Sequence, residues 1–423
     1  MKNSMSVLLR LKENKGVSAV LVAIMIAMFL GFAALAIDVG YGFVTKNQLH
    51  NIADAAALAA ARQLGVIYQG LSYEEQQTYV VDTADEAQIK NAAIAVASQN
   101  QAGGVSITIN STDIQIGVWD LSYTPDASHP RNHLRPTLNQ PDAVKVIARR
   151  DSSANGPITT FFARIFGIQD WNVSATATAA LTGQSTSEPG ELELPVGMSR
   201  YFFDEHSCGD HIAFSPANSP ESCAGWTSWD YNSNDANLRK ILDEQAGYES
   251  PGTIANDTLF NFIGGQLSQP TFDALLSLFQ RKGYDLDASG EPILDADGNP
   301  MHDATGTGLA VPLCYKNSTT DCSVPCDATF TTRLYYADGT ARNVHEWPTS
   351  VPVYEELDGT ADCSNPNQQL RVVGFARIMM DDVCDAPDKI VRAEVQCNYT
   401  ETNDERGGGG TYGVKGPIPG LVE

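Results

Sequence analysis

The densest grouping of potential metal ligands in this 423-residue chain is Asp204, Glu205, His206, Cys208, Asp210 and His211. Neutral imidazole, thiolate and carboxylate together suit zinc, so His206, Cys208 and His211 are the candidate ligands. The competing reading is a polar loop closed by a disulfide, because Cys223 follows shortly after Cys208. A second candidate is Asp285-Leu286-Asp287-Ala288-Ser289-Gly290, which starts like a calcium loop, with Asp285 and Asp287 as alternate oxygen ligands before a glycine turn. The twelfth position of such a loop is a bidentate Glu, and here it is Ala296. Asp295-Ala296-Asp297-Gly298-Asn299-Pro300 reads as a turn between short strands.

All eight cysteines lie in the later part of the chain: Cys208, Cys223, Cys314, Cys322, Cys326, Cys363, Cys384 and Cys397. An even number confined to one region points to disulfides formed in an oxidising compartment. Structural zinc is the rival, weakened because no Cys-x-x-Cys pair occurs and the closest spacing is Cys322 to Cys326. The sequence holds no nucleophile elbow, His-Glu-x-x-His helix, P-loop or Gly-x-Gly-x-x-Gly string. No catalytic residue and no cofactor are therefore expected. Trp226, Trp229 and Tyr231 could form a carbohydrate-stacking surface, but large aromatics of this kind more often pack a core.

The elements that position these residues begin with a membrane-length segment. Lys2, Arg10, Lys12 and Lys15 precede it, opposed by Glu13 alone, and Val17 to Ile37 carries no charge. At helical rise that run reaches about 31 Å, the thickness of a bilayer's hydrocarbon core. Basic residues on its N-terminal side place that end in the cytoplasm and the bulk of the chain in the periplasm or beyond. Ala34-Leu35-Ala36 resembles a signal-cleavage site, but the run exceeds the 7–15-residue core of a signal peptide, so it reads as an anchor. The net charge is −24, and the tail's +3 leaves −27 for the rest. Such acidity favours solubility and disfavours nucleic acid or anionic lipid as partners of the exported part.

Beyond Asp38, Val39, Phe43, Leu49, Ile52, Ala53, Ala56, Ala60 and Leu64 recur at helical spacing, and Gly40 and Gly42 allow a hinge. A second helix is expected from Ser72 to Gln99, stopped by Gly103-Gly104. Alternation then predicts strands around Val105–Ile109, Ile114–Val118, Val144–Ala148 and Val173–Ala177, with a short amphipathic helix over Thr159–Ile168. The expected class is α+β. It comprises a basic tail (1–16), a transmembrane helix (17–37), a helix-plus-sheet exported domain (38–183), a linker (184–193), a loop- and strand-rich disulfide-containing domain (194–400) and a Gly-rich tail (401–423) expected to be mobile unless a partner captures it. Helices are expected at Asn237–Gln245 and Thr271–Gln280, and strands at Arg371–Ala376 and Lys389–Val395.

Three stretches resemble the Tad (Flp) pilus-assembly TadE/TadG-like proteins: Lys15-Gly16-Val17, Ala36-Ile37-Asp38-Val39-Gly40, and Asn51-Ile52-Ala53-Asp54-Ala55-Ala56-Ala57-Leu58-Ala59. Ala163-Arg164-Ile165-Phe166-Gly167, followed by Val173 to Ala179, resembles the end of that family's first exported domain. The resemblance implies a minor-pilin-like or envelope-anchoring component of a Tad/Flp pilus or secretion apparatus, with a pilin-like helix-plus-sheet domain, and the leading expectation is a noncatalytic role. Its implied partners are the cytoplasmic membrane and pilin-like or Tad secretion machinery proteins. Two departures matter. Leu21 stands where prepilin-peptidase substrates carry Glu, which argues for a retained tail, and the Asp-x-Ser-x-Ser metal motif of some larger relatives is missing. The rival class is a membrane-tethered extracytoplasmic hydrolase or a metal-dependent binding or adhesion module using the Cys208 region.

Overall fold

The computed structural model describes residues 2–123, 132–205, 209–214, 224–263, 267–286, 292–302, 345–357, 368–384 and 390–423. It is an α+β structure with one long N-terminal apolar helix and many strands, and it divides into two compact units. The first comprises Met1–Gln63, Val80–Ala180 and Leu421–Glu423; the second comprises Leu64–Tyr79 and Leu181–Gly420.

Helix α1 (Lys2–Gln69) is unbroken. At 1.5 Å per residue it is about 100 Å long. The expected hinge at Gly40 and Gly42 is not seen. Gly42 instead makes room for the Trp171 ring, which a Cβ at that position would meet at 2.5 Å. One face of α1 beyond Asp38 is fully buried by Leu49, Ala53, Ala56, Ala57, Ala60 and Ala61. Alanine favours the helix and lets neighbouring backbone come close.

The single helix expected from Ser72 to Gln99 is two helices, α2 (Tyr73–Thr78) and α3 (Thr83–Ser98). Ser72 and Glu75 form a reciprocal capping box that starts α2. The backbone then extends at Tyr79, and the Asp82 carboxylate accepts the Ala84 and Asp85 N–H groups at 2.7 and 2.8 Å to start α3. Two capping signals within ten residues outweigh the continuous alanine pattern.

The first unit's sheet holds β1 (Ile114–Trp119), β2 (Leu134–Pro136), β3 (Ala143–Arg150) and β4 (Val173–Ala180). Its order is β2-β1-β3-β4, all antiparallel, with the pair Gly420–Leu421 added outside β4. The alternation read from the sequence is the observed pleat: Val144, Val146 and Ala148 of β3 are buried, as are Ala175, Ala177 and Ala179 of β4. The helix expected over Thr159–Ile168 shrinks to a 3-10 turn at Ala163–Phe166, closed by Gly167 at φ +87°.

In the second unit, β5 (Val196–Ser199), β6 (His211–Phe214), β7 (Ala224–Thr227), β8 (Leu259–Ile263), β9 (Tyr284–Asp285), β10 (His345–Glu355), β11 (Gln369–Cys384) and β12 (Ile390–Gln396) form one sheet. It closes on itself through β11-β8-β7-β5-β10 and back to β11, with β5 and β10 parallel and the other neighbours antiparallel. The closed ring of five strands has no free edge, while β6 and β9 end the sheet on either side of it. Helices α4 (Asp235–Leu242) and α5 (Gln269–Lys282) accompany it, capped at Asn234 and started by Pro270. The core is rich in large side chains: Trp226, Phe272, Leu275, Phe279, Trp347 and Met380 in one cluster, and Trp229, Phe260, Phe262 and Phe375 in another. Trp226 and Trp229 are thus core residues, 3 % and 0 % exposed.

Residues 401–423 pack against other parts of the chain, whereas their glycines suggested a tail that is mobile unless a partner captures it. Glu405 and Val414 are buried, and Gln184, Ser187 and Leu192 of the expected linker are buried too. Gly409 N–H donates to Gly183 O at 2.8 Å, and a Cβ on Gly409 would sit 1.9 Å from Gln184 O. Composition suggested slack chain. The missing side chains instead allow two backbones to lie against each other.

Candidate functional site

The surface of α1 changes character at Asp38. Before it, Val20, Leu21, Val22, Ile24, Met25, Ile26, Met28, Phe29, Leu30 and Phe32 are all more than half exposed, and these positions cover every face of the helix. The segment Ser18–Gln69 is long and apolar enough to cross a membrane. An apolar surface this continuous is not tolerated by water and suits lipid.

Asp38 itself is 3 % exposed. Its carboxylate accepts three backbone N–H groups: Phe161 at 2.7 Å, Phe162 at 2.9 Å and Ala163 at 2.6 Å. Burial works to raise its pKa, but these three bonds and the Arg164 charge together hold it below the usual carboxylate range. One turn further on, the Tyr41 hydroxyl donates to Gly103 O at 2.9 Å, while Gln48 Oε1 accepts Gly103 N–H at 2.8 Å. Gly103 can make both contacts because it sits at φ +57° in the Gly103-Gly104 turn. The buried Arg150 supports that turn from the sheet, donating to Ala102 O at 2.7 Å and Gly156 O at 2.8 Å. The exit of α1 is thereby tied to two loops of its own unit. Sequence reading treated Asp38 as the end of the apolar run and missed its partners. The available signal was a lone acid directly after 21 uncharged residues.

Of the residues nominated as ligands, His206, Cys208 and Asp287 lie outside the described residues, as do Cys223, Cys314, Cys322, Cys326 and Cys363. His211 is paired in register with Glu394 on β6, and Cys384 ends β11; the side chains of both lie outside the description. Cys397 is buried. Asp285 is buried beside His345, whose Nδ1 lies 2.8 Å from its Oδ1 and whose Nε2 faces Phe279 O at 2.9 Å. Among the described residues, no group of three His, Cys, Asp or Glu side chains is placed to hold a metal ion.

A titratable pair that the sequence did not announce lies in the second unit. Glu191 accepts Glu188 N–H at 2.8 Å and the Asn403 amide at 3.3 Å, while Glu405 accepts the Thr186 hydroxyl. Burial, followed by hydrogen bonding and repulsion from the facing Glu405 carboxylate, pushes Glu191 up to about 7. The pair is a clasp between residues 186–191 and 403–405.

Comparison with known families matches residues 16–63 to the Tad model, described as Flp pilus-assembly TadE/G-like, and residues 69–179 to the Tad_C model, described as Tad-like Flp pilus-assembly. No curated protein and no solved structure matches the chain.

Proposed function

We propose, from the Tad and Tad_C domains that this chain carries over residues 16–179, that it is a single-pass membrane component of a Tad/Flp-type pilus or secretion apparatus. The carrying observation is that the first family match, residues 16–63, runs across Asp38, where an all-round apolar helix becomes a helix with one buried alanine face. Residues 17–37 cross the cytoplasmic membrane, with the basic tail inside and the rest outside. Residues 38–183 serve as a minor-pilin-like, helix-plus-sheet domain that docks on pilin-like or other Tad proteins. The part from 194 to 400 is an extracytoplasmic domain stapled by its cysteines as disulfides, a reading supported by their even number and confinement to that region. The role is structural rather than catalytic, in keeping with the missing catalytic motifs.

Deleting the chain in its bacterium and counting surface pili by electron microscopy, with and without the full chain restored, tests this. Loss of pili with recovery on restoration is expected. Unchanged pilus number and unchanged secretion would overturn it.

A further inference from the structure

Residues 161–168 are built rigidly and yet present apolar side chains outward. Thr160 N–H donates to Gln169 O at 3.0 Å, and its hydroxyl donates to Ile168 O at 2.6 Å. The strand pair Ile158–Thr159 and Asp170–Trp171 closes the base, Gly167 caps the 3-10 turn, and Asp38 holds the first three N–H groups. On this fixed tip Phe161 is 55 % exposed, Phe162 39 %, Ile165 77 %, Phe166 73 % and Ile168 48 %. A tip that could rearrange would fold such residues inward; this one is held outward by its own hydrogen bonds.

The tip lies beside the apolar segment of α1. A groove between them is lined by Met28, Gly31 and Leu35 from the helix and by Ala163, Phe166 and Ile168 from the tip. Met28 is ten residues before Asp38, about 15 Å back along the helix axis, so the groove lies at the depth of the proposed span. We propose that residues 161–168 insert into the outer leaflet of the bilayer that α1 crosses, with Ile165, Phe166 and Ile168 among the acyl chains. The proposal rests on the reading of α1 as a membrane span.

Lipid is the occupant for two reasons. The exposed apolar surface of the tip is continuous with a helix exposed on every face, whereas a partner helix would require one apolar stripe. The tip also carries the composition of a membrane interface. Tyr41 and Phe161 meet edge to face at 5.5 Å, and Trp171 stands on Gly42, placing aromatics at the helix exit. Residues 161–168 contain one charged residue, Arg164, and no acid of their own, and an Arg at an interface can keep its charged head in water while its stem lies on apolar surface. A single helix leaves a domain free to tilt and spin about it; a second contact beside it fixes both.

The test places an environment-sensitive fluorescent amino acid in the full chain at Phe166, and separately at Ile165, Phe32 and Leu121, in phosphatidylcholine nanodiscs. All four positions are exposed, so the probe disturbs no core. Quenching is measured with doxyl-labelled lipid and with aqueous iodide. Probes at 165 and 166 are expected to follow the probe at 32, quenched several-fold more by doxyl lipid than by iodide, with the reverse at 121. Iodide quenching at 165 and 166 alongside lipid quenching at 32 would overturn the inserted tip and leave the anchor standing. Shielding at 165 and 166 from both quenchers would also overturn it, in favour of contact with a second copy. Iodide quenching at 32 would overturn the spanning helix, and the tip with it.

Discussion

The two units build their interiors from opposite materials. The first buries alanines: Ala53, Ala56, Ala57, Ala60 and Ala61 on α1, and Ala143, Ala148, Ala175, Ala177, Ala179 and Ala180 in the sheet. The second buries Trp226, Trp229, Phe260, Phe262, Phe272, Phe279 and Phe375 inside a closed sheet and its helices. A small-residue core gains little from any one side chain but fixes how near two backbones lie. An aromatic core gains much from each side chain and tolerates less shrinkage. The first should therefore fail when side chains grow, and the second when they are cut.

The acids of the two units differ in the same instructive way. Asp38 meets three N–H donors and is stabilised as an anion; Glu191 meets another carboxylate and is destabilised as one. One clasp is set for any pH above the acid range, and the other loosens as the solution turns alkaline.

Truncating the aromatic core should produce the largest effect. Trp229→Ala removes a fully buried ring stacked edge to face on Phe260 at 5.1 Å and should cost about 3–5 kcal/mol, measured by urea unfolding followed through tryptophan fluorescence. A loss below about 1 kcal/mol would break the comparison. Growth in the alanine core comes next. Ala56→Leu should cost about 1–3 kcal/mol, while Ala56→Gly should cost about 1 kcal/mol from helix propensity alone. Circular dichroism melts would show whether enlargement is the worse of the two.

The carboxylate pair gives a smaller, pH-dependent effect. With Glu191 raised from 4.5 to about 7, the native state holds a proton that the unfolded chain has released across that interval. Stability from this group is full below about 4.5, falls as pH rises through 7, and then levels. After discounting for solvent screening the fall should be about 1 kcal/mol. Glu191→Gln should flatten it, and thermal melts at pH 5 and pH 8 compare the two directly. A wild-type chain more stable at pH 8 would refute the sign. The most local effect belongs to Asp38→Asn. It replaces one acceptor oxygen with a donor facing N–H groups, so amide exchange at Phe161, Phe162 and Ala163 should speed up while the sheet amides of β3 and β4 hold. In the wild type the Asp38 contribution should persist above the ordinary carboxylate range and vanish as pH falls through its lowered value.

Much of the first unit was legible because one physical signal decided each element. Ile114, Ile116, Val144, Val146 and Ala175 alternate with polar residues, and the strands fall there. The split between α2 and α3 is encoded locally in Ser72, Glu75 and Asp82, whose caps compete with a continuous alanine-rich pattern that favours one helix. The tip at Phe161–Ile168 was misread because its exposure depends on Asp38, 123 residues earlier, and no local pattern encodes so distant a partner. The glycines from 407 to 416 were misread for a different reason. Glycine marks both slack chain and tightly apposed backbone, and only the opposing strand, Gly183 to Ser185, tells them apart.

Residues 401–423 set the timing of folding. Thr178 of β4 donates its N–H to Glu423 O, and Val422 donates back to Thr178 O, so the first unit's sheet is completed by residues some 245 positions later in the chain. The second unit likewise needs residues 401–416 laid against 183–186. A chain made from its N-terminus onward therefore cannot finish either unit until residues 401–423 have been synthesised. Until then the outer edge of β4 stands open to pair with any strand that reaches it. That waiting interval is when a chaperone or an assembly partner has its opportunity.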